Sequence, residues 1–243
     1  MRRLYNIGIL TALWGRHEVA DIVLRYYSEM EIEGLRLHRV AVGSEGDVTH
    51  YLAESNNWHY TEAPNEPLSD KWNAGMAKMK GHVDAVLIVG SDDLLSEKTI
   101  RMLVAEWENG ADVVGLEDLY YYDLPKDAVY YSRRSHPGAG MLIGASPLTR
   151  LSWQPWPSGL FKRLDGQLIN RLTTDAYPCK TRYIDKCSDK EAVLVDIKTD
   201  TNMWSVEDMA RMTGRVDRVP NEELDKTFPG LRELLKQTNH DHA

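Results

Sequence analysis

The chain has 243 residues, of which 27% are charged and 42% hydrophobic, and it carries a formal net charge of −8. That length suits one sizeable α/β domain with a full core, and the composition is that of an ordinary globular protein, which excludes a fibrous or largely disordered chain. The excess of carboxylates gives no general basic footprint for a nucleic-acid backbone, although Arg133, Arg134, Lys162 and Arg163 form local basic pairs.

The first apolar stretch, Ile7 to Trp14, is interrupted by Gly8 and Thr11 and runs into Arg16 and His17, which reads as a strand and not as a signal peptide. No run reaches the ~18 apolar residues of a membrane span, and a cytoplasmic protein is expected. Cys179 and Cys187 are too few for a disulfide framework and lack the paired spacing of a zinc site, so reduced thiols are expected.

In chain order, Ile7 to Leu13 has the character of a parallel strand covered on both faces. Val19, Ile22, Val23, Tyr26, Tyr27 and Met30 then form one apolar helical stripe that Gly34 ends. Leu37–Val42 predicts a second strand, leading into the turn-rich Gly43-Ser44-Glu45-Gly46-Asp47. A short helix over Val48–Asn56, a short strand at Trp58–Thr61 and a helix over Asp70–Lys80 follow. Val83–Gly90 is the strongest strand pattern. Ser96 is placed to cap a helix with Ile100, Leu103, Val104 and Trp107 on its buried face, and Ala111–Leu116 predicts a further strand. Strands alternating with helices imply a mainly parallel sheet with helices on both faces, in which ligands sit beyond the carboxyl ends of the strands.

The later part differs in texture. Tyr120, Tyr121, Tyr122, Tyr130, Tyr131, Trp153 and Trp156 cluster with prolines and glycines around a strand expected over Gly140–Ala145. These aromatics suit stacking on sugar rings or bases, and equally a packed core. The chain reads as a single domain, 1–243, which divides by texture into residues 1–116, 117–215 and a terminal helix and tail over 216–243.

Asp92 and Asp93 follow directly on the buried strand and precede a helix, facing the expected crevice. Carboxylates placed beside a nucleoside diphosphate make physical sense when a divalent cation bridges them. The alternative is a surface turn in which one of the pair caps the next helix. Other landmarks bear on that choice: Thr11-Ala12 at the end of the first strand, the helix from Glu18, the segment Lys71-Trp72-Asn73-Ala74-Gly75, and Ser91-Asp92-Asp93 after its strand.

Their order and spacing, from Ile7 to about Leu172, resemble the family 2 glycosyltransferases of the GT-A fold. The resemblance implies a Rossmann-like GT-A domain, with residues 1–116 as the nucleotide-sugar-binding half and 117–215 as the acceptor-side half, and a Mn²⁺- or Mg²⁺-dependent transfer of a sugar from a nucleotide donor, a UDP-sugar foremost, to a hydroxyl acceptor. It implies Asp93 as the metal ligand at the diphosphate and Asp92 at the ribose or the same metal. Thr11 and Ala12 would lie against the nucleoside, with Lys71 on a phosphate and Asn73 holding a loop. The chain departs from the family where an acidic pair usually follows the second strand: Glu45 or Asp47 stands there. Trp72 also replaces a common arginine.

For inverting transfer the resemblance points to Asp165 as the base, opening a helix marked by Leu168, Ile169 and Leu172, although Leu164 stands where a glutamate is usual. The alternative for Asp165 is a helix N-cap. His136 near the acceptor segment, His240 and His242 in the tail, and Lys198 in the loop after the strand Ala192–Ile197 are further candidates for substrate, metal and diphosphate respectively. The acceptor is expected to be a surface glycan or a hydroxymethylated DNA base, the net charge weighing against DNA. The rival readings are a nucleotidyltransferase acting on a sugar phosphate and a non-catalytic sugar-binding module.

Overall fold

The computed structural model describes residues 3–133, 138–174, 179–185, 193–202 and 204–240. His136, Cys187, Arg134 and His242 lie outside them, as does the His240 side chain.

The first strand, β1 (Tyr5–Ala12), is central because its side chains alternate between two cores. Ile7 and Ile9 pack on one face with Val19, Val23 and Tyr27 of helix α1 (His17–Glu29), and Leu10 packs on the other. Parallel pairing extends β1 on one side to β2 (Leu35–Gly43) and then β3 (His59–Glu62), with α2 (Asp47–Ser55) between them. On its other side β1 pairs in parallel with β4 (Ala85–Ile88), after helix α3 (Leu68–Lys78). Beyond β4 come β9 (Met141–Gly144), β6 (Val113–Leu116) and β10 (Thr181–Ile184), giving seven strands in the order β10-β6-β9-β4-β1-β2-β3, with β9 antiparallel to both neighbours.

Helix α4 (Glu97–Glu108) is capped as its sequence predicts: Ser96 Oγ accepts from Thr99 N at 3.2 Å. Its residues Ile100, Leu103 and Val104 join the α1 core, whereas Met76 of α3, Leu148 of α5 (Ala145–Arg150) and Leu168 and Leu172 of α6 (Leu164–Thr174) fill the opposite one. The expectation of a mainly parallel sheet covered on both faces is met.

A second sheet, not legible in the apolar pattern, has five strands in the order β12-β8-β7-β11-β5. They are β5 (Asp93–Leu95), β7 (Asp118–Asp123), β8 (Ala128–Arg133), β11 (Leu194–Lys198) and β12 (Val216–Val219). Tyr120, Tyr121 and Tyr122 are the buried middle of β7, and Tyr130 and Tyr131 face them from β8. Trp153 and Trp156 are buried as well. These aromatics therefore build core, the second of the two roles open to them. Strand β5 comes from the first half of the chain and joins the second sheet, whereas β9 and β10 come from the second half and join the first.

Three further helices close the chain. Helix α7 (Val206–Thr213) carries a Ser205–Asp208 capping box, and short α8 (Glu222–Asp225) precedes α9 (Leu231–His240). Leu231 and Leu235 of α9 are buried, while Arg232 and Lys236 both reach Asp127 in the β7–β8 turn. No described helix is long and apolar enough to cross a membrane.

The Lys71-to-Gly75 segment has a structural logic. Gly75 lets α3 lie directly on the sheet: a methyl group there would fall 2.4 Å from Val42 Cγ2 and 2.5 Å from Leu10 Cδ1. Helix propensity alone favours alanine by about 1 kcal/mol. Overlap with two buried side chains reverses the sign, so Gly75→Ala is expected to destabilise by roughly 1–3 kcal/mol, read as a lower urea midpoint. A midpoint at or above that of the native chain would contradict this packing.

Candidate active site

At the carboxyl end of β1 the chain must leave the sheet, and its backbone groups need partners. Leu13 N donates to Val42 O at 2.8 Å, and Leu13 O accepts from Lys71 Nζ at 2.6 Å. Lys71 Nζ also donates to Ser44 Oγ at 2.9 Å and Asn65 Oδ1 at 3.1 Å. The side chain is thus turned inward, beneath the loop. Burial pushes its pKa down to about 8, against the upward pull of Glu45. Glu45 braces the same loop: its Oε2 accepts from Gly15 N at 2.9 Å and lies 3.0 Å from His17 Nε2. Burial would raise its pKa, but those two partners hold it below the usual carboxylate value. Thr11 is fully buried and Ala12 half-buried in the strand that this loop extends.

The braced loop ends in Arg16, whose backbone is left-handed (φ 49°). Such a conformation costs a non-glycine residue about 1–2 kcal/mol, and here it aims the guanidinium across the sheet end. Arg16 NH1 lies 2.5 Å from Asp92 Oδ2 and NH2 donates to Ser91 Oγ at 3.2 Å.

Asp92 ends the turn that follows β4, and Asp93 opens β5. Asp93 Oδ2 accepts from Gly90 N at 2.6 Å. A methyl group on Gly90 would fall 2.6 Å from both Asp92 Oδ1 and Asp93 Oδ2, so the turn needs glycine there. Antiparallel pairing of β5 with β11 sets Asp93 opposite Asp196, and directly paired residues point to the same face of a sheet.

One oxygen from each of Asp92, Asp93 and Asp196 lies within 4.8 Å of the others. Asn202 Nδ2 donates to Asp92 Oδ2 at 2.7 Å, and Lys198 Nζ lies 2.6 Å from Asp196 Oδ2 and 5.4 Å from the Tyr121 ring centre. Asp196 Oδ1 is buried with no hydrogen-bond partner among the described residues. Burial first, then the charges of Asp196 and Asp92, push the Asp93 carboxyl well above the carboxylate range, and burial raises Asp196 too.

An all-oxygen donor set with a buried oxygen lacking any donor fits a hard divalent cation, which would relieve both the repulsion and the orphaned atom. Asp93 and Asp92 were predicted from the sequence. Asp196 was not, although a lone carboxylate inside Val193-Leu194-Val195-Asp196-Ile197 is the kind of buried charge that calls for a partner. Arg16 and Asn202 were also missed.

The other predicted residues lie around this cluster. Asn73 pins the loop before α6, its Nδ2 donating to Trp156 O at 2.8 Å and its Oδ1 accepting from Trp156 N at 3.2 Å. Asp165, exposed in the first turn of α6, sets its carboxylate against Gly138: a methyl group there would fall 2.0 Å from Asp165 Oδ1. Two residues on, Gly140 N donates to Ile88 O at 2.9 Å, and a methyl on Gly140 would lie 3.3 Å from Leu95 and 3.5 Å from Leu194. Asp165 stands outside the carboxylate cluster, joined to its strands through this glycine segment.

The fold that carries this site is mixed α/β, with a mainly parallel seven-stranded sheet beside a second sheet of five strands. It is similar to the crystal structure of S. aureus TarS 1-349, with a TM-score of 0.53 and 12% identity over 81% of this chain and 58% of that one. It is also similar to glucosyl-3-phosphoglycerate synthase from Mycobacterium tuberculosis in complex with Mn²⁺, UDP and glucosyl-3-phosphoglycerate. That match has a TM-score of 0.50 and 12% identity, covering 86% of this chain and 76% of the other. At such identity the likeness is one of fold. No family model and no curated protein sequence matches the chain.

The raised Asp93 carboxyl has a consequence for stability. Its folded pKa lies above the unfolded value near 4, so the folded state binds that proton more tightly and loses stability as pH climbs from the unfolded value through the folded one. Asp93→Asn is expected to melt about 2–4 °C above the native chain at pH 7 without metal. The gap should close towards pH 4, and the variant should lose most stabilisation by Mn²⁺. A variant melting below the native chain at pH 7 would contradict the buried repulsion.

Proposed function

We propose that the chain is a metal-dependent, inverting glycosyltransferase that moves a sugar from a nucleotide donor to a hydroxyl acceptor. The observation that carries this reading is the convergence of Asp92, Asp93 and Asp196 at the carboxyl edge of a GT-A-like sheet, with a buried Asp196 oxygen that has no donor. The three carboxylates hold Mn²⁺ or Mg²⁺, which when bound supplies a Lewis acid for the departing diphosphate. The Mn²⁺ and UDP in the M. tuberculosis synthase structure support a UDP-sugar as the first donor to try.

Thr11 and Ala12 lie against the nucleoside, and Asp92 takes the ribose side. Lys71 and Glu45 act by holding the loop after β1, a positioning role in place of direct contact with phosphate or base, because their polar atoms are already engaged beneath it. Asn73 likewise fixes the Trp156 loop. Asp165 accepts the acceptor hydroxyl's proton as that oxygen bonds to the anomeric carbon and the bond to the diphosphate breaks on the opposite face. A glycan hydroxyl is favoured over a hydroxymethylated DNA base because the chain carries a net charge of −8.

A panel of nucleotide sugars screened by thermal shift with and without Mn²⁺ tests this. One donor is expected to raise the melting temperature by about 5–10 °C at a hundredfold excess over Kd, only with Mn²⁺ present. Asp93→Ala should abolish the shift. Stabilisation by no donor, or an equal shift in Asp93→Ala, would overturn the proposal.

A further inference from the structure

The carboxylate cluster holds more positive charge than a metal site requires. Arg16 sits on Asp92 and Lys198 on Asp196, with charged atoms 2.5 Å and 2.6 Å apart. Both side chains are largely withdrawn from water, at 18% and 11% exposure. With all three carboxylates ionised, as metal ligation requires, they and the two cations sum to −1, and a divalent ion would bring the group to +1.

A site shaped to hold a metal ion alone gains nothing from this arrangement, since each internal cation repels an ion that binds the oxygens left open, Asp196 Oδ1 among them. Two cations largely withdrawn from water beside a metal make electrostatic sense when an anion arrives with it. Their supports point the same way. Arg16 is aimed by a left-handed backbone that Glu45 and Lys71 brace from below, and Lys198 is laid beside the Tyr121 ring at the end of β11. Both therefore face Asp92 and Asp196 from outside the triad, one from each sheet.

We propose that Arg16 and Lys198 are the cations that receive the donor's diphosphate, and that they couple its binding to the metal's. In the empty site they neutralise Asp92 and Asp196. When the metal binds the open oxygens of the same carboxylates, its charge offsets theirs, and the guanidinium and ammonium turn to phosphate oxygens. Metal alone is repelled by two nearby cations, and diphosphate alone meets cations whose charge the carboxylates already balance, so each ligand strengthens the other by the same factor. This rests on the reading of the cluster as a metal–diphosphate site, but not on transfer of a sugar.

Calorimetric titration of the full chain with Mn²⁺ alone, and with preformed Mn²⁺–pyrophosphate, separates the roles. Lys198→Met and Arg16→Met are each expected to bind Mn²⁺ alone about tenfold more tightly than the native chain, because a competing cation is gone, and Mn²⁺–pyrophosphate about tenfold more weakly. Lys198→Arg and Arg16→Lys, which keep the charge, should recover part of the pyrophosphate affinity. Native-like pyrophosphate binding in both methionine variants would overturn the proposal, as would a parallel loss of both ligands in variants that melt cooperatively, since that marks purely structural cations. Opposite-signed changes in a protein that transfers no sugar would leave this proposal standing and sink the glycosyltransferase reading instead.

Discussion

Asp93 and Asp196 face each other across one antiparallel register, and much of the surrounding structure answers to that pairing. Two carboxylates placed side by side in a buried strand pair repel, and burial alone disfavours their charged forms. The protein tolerates them by surrounding the cluster with donors: Gly90 N on Asp93, Lys198 on Asp196, and Arg16 and Asn202 on Asp92. One oxygen of Asp196 is nevertheless left without a partner. A site with unmet demand at one atom and repulsion among its members is poised for a cation, and it trades stability of the empty fold for that readiness.

Positioning those donors requires both sheets. Arg16 depends on the loop after β1, which is braced by Lys71 from α3 and by Glu45 from the β2–α2 turn. Lys198 and Asn202 depend on β11, which lies in the second sheet between β7 and β5. The register carries further. Asp93, Asp196, Tyr121, Tyr130 and Arg218 are successive partners across all five strands, so one row of side chains runs from the acidic cluster across the face of the second sheet.

Local signals made the first half of the fold legible. The stripe of α1, the Ser96 cap and the alternation of strands with helices each depend on residues close in sequence, and each is present in the structure. Asp92 and Asp93 were legible because they end the most apolar strand in the chain. The second sheet was not. Strand β5 is three residues long, and the tyrosines of β7 and β8 offered no alternation that separates stacking surface from core. Asp196 becomes a site residue only through pairing with a strand far away in the chain, which no local pattern encodes. Lys71 and Glu45 were found as candidates, but whether a polar side chain points out to a ligand or in beneath a loop depends on the tertiary partners Leu13, Ser44 and Gly15.

The three carboxylates are proposed to form one divalent-cation site at the edge of this fold. Anomalous diffraction at the manganese edge, from crystals grown with Mn²⁺ and a nucleoside diphosphate, tests it most directly. A single strong peak is expected, bonded to oxygens of Asp93 and Asp196, with Asp92 at the ion or at the adjoining ribose. A peak elsewhere, or a well-ordered diphosphate at this edge with no manganese beside Asp93 and Asp196, would contradict it.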